Sequence, residues 1–449
     1  MNTIPLPYDS LRVLTQHLDA NLRFELISRC PSLRKVEKTV PLYIKTLDLN
    51  RNYECKVNDI QYKLNIVQFS REGPTPQYVL DQNKKCGFRQ DIDRFGDIII
   101  NPLGENWHQW DGQDKVYNEG TRQAEKNILE AFEDEMKTVM RRGQYDLRPS
   151  PWSRDDNQSY GESMQYLIDY QKFILAPYTC REQNIDSPYD RYVELRCCRV
   201  KKGEDDHFDE IRPFETVKYS RKLNETMKYF MTRLFGGRVL SIHVKLLTVR
   251  AGEQIIRLPE GVKFNVQKFF TMGRPINVFD ALLPIIDENC NPWKHVQTRD
   301  IYELDRDHVK KADEITIRDF HMNTLQILQR LTNQKVFVSD DSIYFEEEMC
   351  NFIQHWLENG RKIGTCYRIA FRKEQYIMLI LDRLEKIFEN EVTIDIDKGL
   401  MILPMKGSSE LHISYGKPTR DDEFEHNVTW VFKLEVVASD MGRKRDGNN

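Results

Sequence analysis

The sequence predicts an α+β protein: helical apolar spacing before residue 40, strand-type alternation from Pro41, and short strands and helices in turn after Arg221, closing on an antiparallel strand segment. A chain of 449 residues exceeds what one core usually organises, so two or three folding units are expected. The expected divisions are a helical segment at 1–40, a β-rich segment with a helical middle at 41–215, a mixed α/β unit with a repeat-like rhythm at 216–437, and a disordered tail at 438–449.

In the first segment Leu11, Leu14 and Leu18 follow helical spacing, and Leu22, Leu26 and Ile27 begin a second stripe, which implies three small helices. Pro7 suits a first helical position and Asp9 places a carboxylate in the first turn. Asp19 is a candidate cap for the second helix, and Pro31 opens the third. From Pro41 the pattern becomes alternation at Tyr43–Leu49, Glu54–Val57 and Tyr62–Val67, broken by Arg-Asn and Asn-Asp turn material, so hairpins follow the helices.

Between Arg71 and Pro213 the signals weaken, with a helical stretch at Thr121–Met140, an apolar segment at Met164–Leu175 and a strand at Arg191–Arg196. The acidic Glu204-Asp205-Asp206 that follows reads as a solvated loop. A helix at Arg221–Phe235 is then stopped by Gly236-Gly237 through a left-handed cap. Apolar strands centred near Val244, Val266, Val296, Ile315 and Val336 recur about 19 to 30 residues apart, with returns such as Phe279–Asp287 and Leu325–Leu331. That rhythm suits a leucine-rich-repeat-like stack or an ordinary α/β sheet; no full repeat consensus decides between them. Helices at Glu347–Glu358 and Lys373–Glu389 precede alternating strands at Leu400–Leu403, Glu410–Tyr415 and Val428–Val437.

With 66 basic and 70 acidic residues the net charge is -4, which supplies no overall field for a polyanion, so no nucleic-acid partner is expected. The sequence has no basic-then-apolar leader and no run of roughly 18 apolar residues, so neither secretion nor a membrane partner is expected. The nine cysteines are odd in number and never spaced C-x-x-C. They suit a reducing compartment, cytoplasm or nucleus, in which the sequons at Asn157, Asn224 and Asn427 go unused.

No pattern of catalytic or metal-binding residues emerges, so no enzymatic activity, cofactor or metal is expected. The ten histidines show no H-E-x-x-H, and His355 has no second ligand one helical turn away. Asp395 and Asp397 resemble a D-x-D pair, but alternation sends them to solvent and turns Ile394 and Ile396 inward. Phe235-Gly236-Gly237-Arg238 follows a helix and lacks the Lys-Ser/Thr of a phosphate loop. No G-x-S-x-G elbow occurs, Cys197-Cys198 has no nearby His, and Arg443-Lys444-Arg445 is a short basic cluster on the tail.

The run Leu6-Pro7-x-x-x-Leu11-x-x-Leu14-x-x-x-Leu18-Asp19-x-Asn21-Leu22, continuing through Ile27, Cys30 and Leu33, is similar to an F-box in the order and spacing of its apolar positions. It departs from that pattern in lacking a third-helix aromatic near Leu33 and in carrying Cys30-Pro31 at the helix junction. Stretches such as Arg29–Arg34, Leu234-Phe235-Gly236-Gly237, Leu258-Pro259-Glu260-Gly261 and Ile363-Gly364-Thr365-Cys366-Tyr367 resemble a large nematode family grouped with F-box-type proteins, whose members carry a domain of unknown function. The resemblance implies a helical platform binding a Skp-type adaptor of a cullin ubiquitin ligase, and a C-terminal part holding an unknown protein target. The residues it nominates for the adaptor are Leu6, Pro7, Leu11, Leu14, Leu18, Leu22 and Ile27. The same spacing equally suits the core of a purely structural cap, which is the alternative reading, with an enzyme of unrecognised type behind both.

Overall fold

The computed structural model describes residues 7–50, 53–85, 87–99, 119–141, 160–200, 208–250, 257–271, 278–290, 292–299, 301–318, 324–339, 346–395, 399–418 and 429–439. Leu6, the acidic run at 204–206, Ile396, Asp397 and the basic cluster at 443–445 lie outside the described residues.

The three N-terminal helices are present. Helix α1 (Tyr8–His17) starts behind Pro7 with Asp9 in its first turn. Helix α2 (Ala20–Arg29) is capped by Asp19, whose carboxylate accepts the Asn21 N–H. Pro31 opens a 3-10 turn, Pro31–Leu33, that leads into α3 (Arg34–Thr39). Next come β1 (Tyr43–Asn50), β2 (Glu54–Val57) and β3 (Ile60–Ser70), then α4 (Gln77–Lys84), α5 (Glu119–Arg141) and α6 (Tyr160–Gln183). Helix α6 carries on through Pro177, well past the stretch its apolar pattern marks, and is followed by β4 (Tyr189–Val200) and β5 (Phe208–Lys218).

Helix α7 (Leu223–Phe235) stops at Gly236, and Gly237 takes a φ of 70°, the left-handed conformation that glycine adopts without a Cβ penalty. The chain then runs through β6 (Ile242–Arg250), β7 (Phe264–Thr271), α8 (Val278–Leu282), β8 (His295–Thr298), α9 (Asp307–Lys310), β9 (Glu314–Ile317), α10 (Thr324–Arg330) and β10 (Lys335–Val338). It continues with α11 (Glu346–Asn359), β11 (Cys366–Phe371), α12 (Glu374–Ile387), β12 (Thr393–Asp395), β13 (Leu400–Pro404), β14 (Ser409–Gly416) and β15 (Trp430–Ala438).

All these strands join one mixed sheet in the order β12-β13-β14-β15-β11-β10-β9-β8-β7-β6-β1-β2-β3-β4-β5. Strands β6 to β11 lie side by side in chain order, each parallel to the next, and short helical returns lie between successive strands from β7 to β11. Register sets Val244 beside Val266, and Val296, Ile315, Val336 and Tyr367 in one row, so each unit extends a common apolar stripe. The turns before β9 and β10 are tied by buried Asn333, whose Nδ2 donates to the carbonyls of Val309, Lys310 and Ala312 at 3.0, 3.1 and 2.8 Å. Antiparallel pairing takes over at both ends, in β1 to β5 and in β11 to β15.

The sheet crosses residue 215 without a break. β1 pairs with β6 in parallel from Tyr43↔His243 to Asn50↔Arg250, and one apolar core gathers residues from Ala20 to Val436. The units expected at 41–215 and 216–437 therefore share their backbone hydrogen bonds and their core. A smaller cluster, Met136, Met164 and Ile168, holds α5 against α6.

The inward orientation expected of Ile394 is corrected: it is 44% exposed, whereas Asp395 is half-buried. β12 is a three-residue strand at the end of the sheet, paired on one side only, where no packed layer enforces the alternation.

Candidate interaction surface on the helical cap

One side of the cap is committed to the rest of the protein. Phe24 stacks edge-on to Tyr62 and Phe235, with ring centroids 6.3 and 5.7 Å away, and so keys α2 into both β3 and α7. The α1–α2 junction is fixed to the β2–β3 turn: Asn21 Nδ2 donates to the Val57 carbonyl at 2.9 Å, Asn58 Nδ2 donates to Asp19 Oδ2 at 2.9 Å, and Tyr62 OH donates to Asn21 Oδ1 at 3.0 Å. Asp19 and Asn21 are thus consumed inside the fold.

Beneath α2 and α3 lies a buried group of charges. Arg23 Nε donates to Glu37 Oε1 at 3.0 Å, and its other nitrogens reach the carbonyls of Glu37, Val40 and Pro41. Arg238 Nη2 donates to the same Glu37 oxygen at 2.6 Å, while Lys38 Nζ donates to the carbonyls of Arg233 and Leu234 at 3.0 and 2.9 Å. Those two carbonyls belong to the last turn of α7, where the helix dipole favours a cation. Burial lowers the affinity of both guanidinium groups for their proton and Glu37 opposes that, so both stay charged. Burial, and then the neighbouring Arg238 charge, push the Lys38 ammonium down to about 7.

The outer side of the cap is different. Leu14 is 48% and Leu22 50% exposed, Pro7 is exposed, and Leu11 and Leu18 are half-buried. Ile27 is 4% exposed and belongs to the shared core, so it has no surface to offer a partner. Tyr8 and Val13, which leucine spacing passes over, are 55% and 57% exposed. Four large apolar side chains between residues 8 and 22 therefore face water, three on α1 and Leu22 on α2, whose inner side is occupied by Phe24 and Ile27.

The residues weighed for chemistry are dispersed. Cys197 and Cys198 are both buried on β4 and point to opposite faces of the sheet, and His355 sits half-buried on α11. Among the described residues no group of three or more His, Cys, Asp or Glu side chains is placed to hold a metal ion, and no helix is long and apolar enough to cross a membrane.

Residues 222–373 match a domain of unknown function, DUF3557. The DUF3557 region takes in α7 and the six parallel strands β6 to β11, and leaves out the cap, the β1–β5 segment and the C-terminal strands. No curated protein and no solved structure matches the chain.

Proposed function

We propose that this chain is a non-catalytic substrate receptor, whose N-terminal helices dock a Skp-type adaptor of a cullin ubiquitin ligase and whose sheet holds a protein target. The observation that carries the reading is the exposure of Leu14 and Leu22, together with Tyr8 and Val13, on a helix pair whose junction and second helix are anchored to the sheet. Exposed large apolar side chains on a rigid platform are what an apolar docking contact needs. The F-box-like spacing of the cap supports the same reading. The serial arrangement of β6 to β11, with Asn333 bridging successive turns, supports a leucine-rich-repeat-like stack as the target-holding part.

A second reading is a scaffold in which the cap is purely structural, and the buried Arg23–Glu37–Arg238 group favours it, because that group needs the cap simply to stay dry. Binding of purified adaptor to the intact chain and to Leu14→Asp and Leu22→Asp variants separates the two. Both positions are exposed, so circular dichroism should be unchanged. A carboxylate placed in an apolar contact is expected to weaken adaptor binding by roughly a hundredfold. Failure of the unmodified chain to bind, or full binding by both folded variants, would leave the structural cap as the reading.

A further inference from the structure

The side of the sheet turned away from the core carries a band of lysines brought together only by strand pairing. In β1, β6 and β7 the core is entered at Ile44, Val244 and Val266, and entered again three residues later at Leu47, Leu247 and Phe269. Strict alternation would return every second residue, so both intermediate residues of each strand are left off the core: Lys45-Thr46, Lys245-Leu246 and Gln267-Lys268. Register places Thr46 beside Leu246, Leu246 beside Lys268 and Lys268 beside His295, with Glu314 and Lys335 paired on β9 and β10. Lys45, Lys245 and Lys335 are exposed and Lys268 is half-buried.

The carboxylates of this face are engaged elsewhere. Asp48 pairs with Arg250 at 3.0 Å, and Glu314 with Arg368 at 2.8 Å. Among the described residues no carboxylate forms an ion pair with any of the four lysines. His295 reports the local potential: burial first, and then the charges of Lys268 and Arg368, push its imidazole down to about 4, so it adds hydrogen-bonding capacity toward Thr316 and no charge.

We infer that this band, Lys45, Lys245, Lys268 and Lys335, seats a short acidic segment of a protein target. Adjacent strands about 4.8 Å apart put β1 and β10 roughly 24 Å from each other, a span covered by about seven extended residues. A polynucleotide fits less well. Glu314 interrupts the band at β9, where an unbroken polyphosphate must meet it, whereas an acidic peptide can place an uncharged side chain there. The cations are lysines, which lack the planar fork that grips phosphate in two places.

The inference takes its target role from the receptor reading, but its test does not depend on adaptor binding. Fluorescence anisotropy of the full chain with a labelled Glu/Ala peptide should show binding that weakens as salt rises, and a Lys/Ala peptide of equal length should not bind. Simultaneous Lys45→Glu, Lys245→Glu and Lys335→Glu, all at exposed positions, should weaken the acidic peptide at least tenfold with the circular dichroism spectrum retained. If that variant unfolds, the Lys→Ala triple is measured in its place and should lose at least threefold. Absence of acidic-peptide binding, binding untouched by the folded triple variant, or tighter binding of a single-stranded oligonucleotide of matching length would overturn the inference. The cap variants Leu14→Asp and Leu22→Asp leave the band intact, so loss of adaptor binding alone bears on the receptor reading and not on the band.

Discussion

Glu37 and Arg238, separated by 201 positions in the chain, meet at 2.6 Å with both side chains about 2% exposed. Arg23 shares the same carboxylate and Lys38 stands beside it, so three cations gather around one anion in a place closed to water. The cap is locked to the end of α7 by this arrangement.

Replacing Glu37 by Gln leaves those cations buried without a counter-charge. Removing one partner of a buried pair typically costs about 3–5 kcal/mol, and a loss of that order is expected in urea unfolding followed by far-ultraviolet circular dichroism. A loss under about 1 kcal/mol would mean that water reaches the group.

Lys38 gives the cluster a pH signature. Its ammonium, ordinarily near 10.5, is pushed down to about 7 in the folded chain. Between those values the unfolded chain holds the proton and the folded chain has released it, so stability rises with pH across that window; below about 7 both states are protonated and the group adds no slope. Unfolding free energies of the unmodified protein and of Lys38→Met, measured from pH 7 to pH 9.5, should diverge in favour of the unmodified protein as pH increases. A constant difference would show that Lys38 keeps its proton in the fold.

Asn333 should behave as a joint between successive units of the parallel sheet. Asn333→Ala leaves the carbonyls of Val309, Lys310 and Ala312 without this donor, and a cost of about 2–3 kcal/mol is expected. Asn333→Asp, which turns an acceptor toward three acceptors, should be no better tolerated. Hydrogen exchange localises the effect: amides of α9 and β9 should exchange faster in the variants, and unchanged protection there would remove the joint.

A fragment covering 221–439 has the length and pattern of a self-contained unit, yet it lacks β1 and so exposes the whole edge of β6 from Ile242 to Arg250. Free edges of this kind recruit other chains. The fragment is expected to elute as oligomers in size-exclusion chromatography, and a monomer with a cooperative unfolding transition would show that β1 is dispensable.

The elements themselves were legible because their causes are local. Asp19 and Pro31 mark helix starts by capping chemistry and fixed φ, Gly237 ends α7 by its left-handed backbone, and the apolar clusters at Val244, Val266, Val296, Ile315 and Val336 each became a strand. Alternation failed at Ile394, on an end strand with one neighbour, and it failed usefully at Lys45, Lys245 and Lys268, where three strands paired in constant register each leave two residues off the core.

Leucine spacing in the cap found the helices but not which face is inward, since a three-helix core and a docking platform require the same intervals. Ile27 went into the core and Leu22 outside it because the position of Phe24 against Tyr62 and Phe235 sets the rotation of α2. Sequence also places a boundary near residue 215, where the local signals weaken and then strengthen. The β1–β6 pairing that spans this boundary is a hydrogen-bonded contact between segments some two hundred residues apart, as is the meeting of Glu37 with Arg238. Local propensity fixes what each segment becomes; which segments share an edge, a core or a buried charge is settled only when the whole chain closes, because those energies depend on the distance between atoms and not on their separation along the chain.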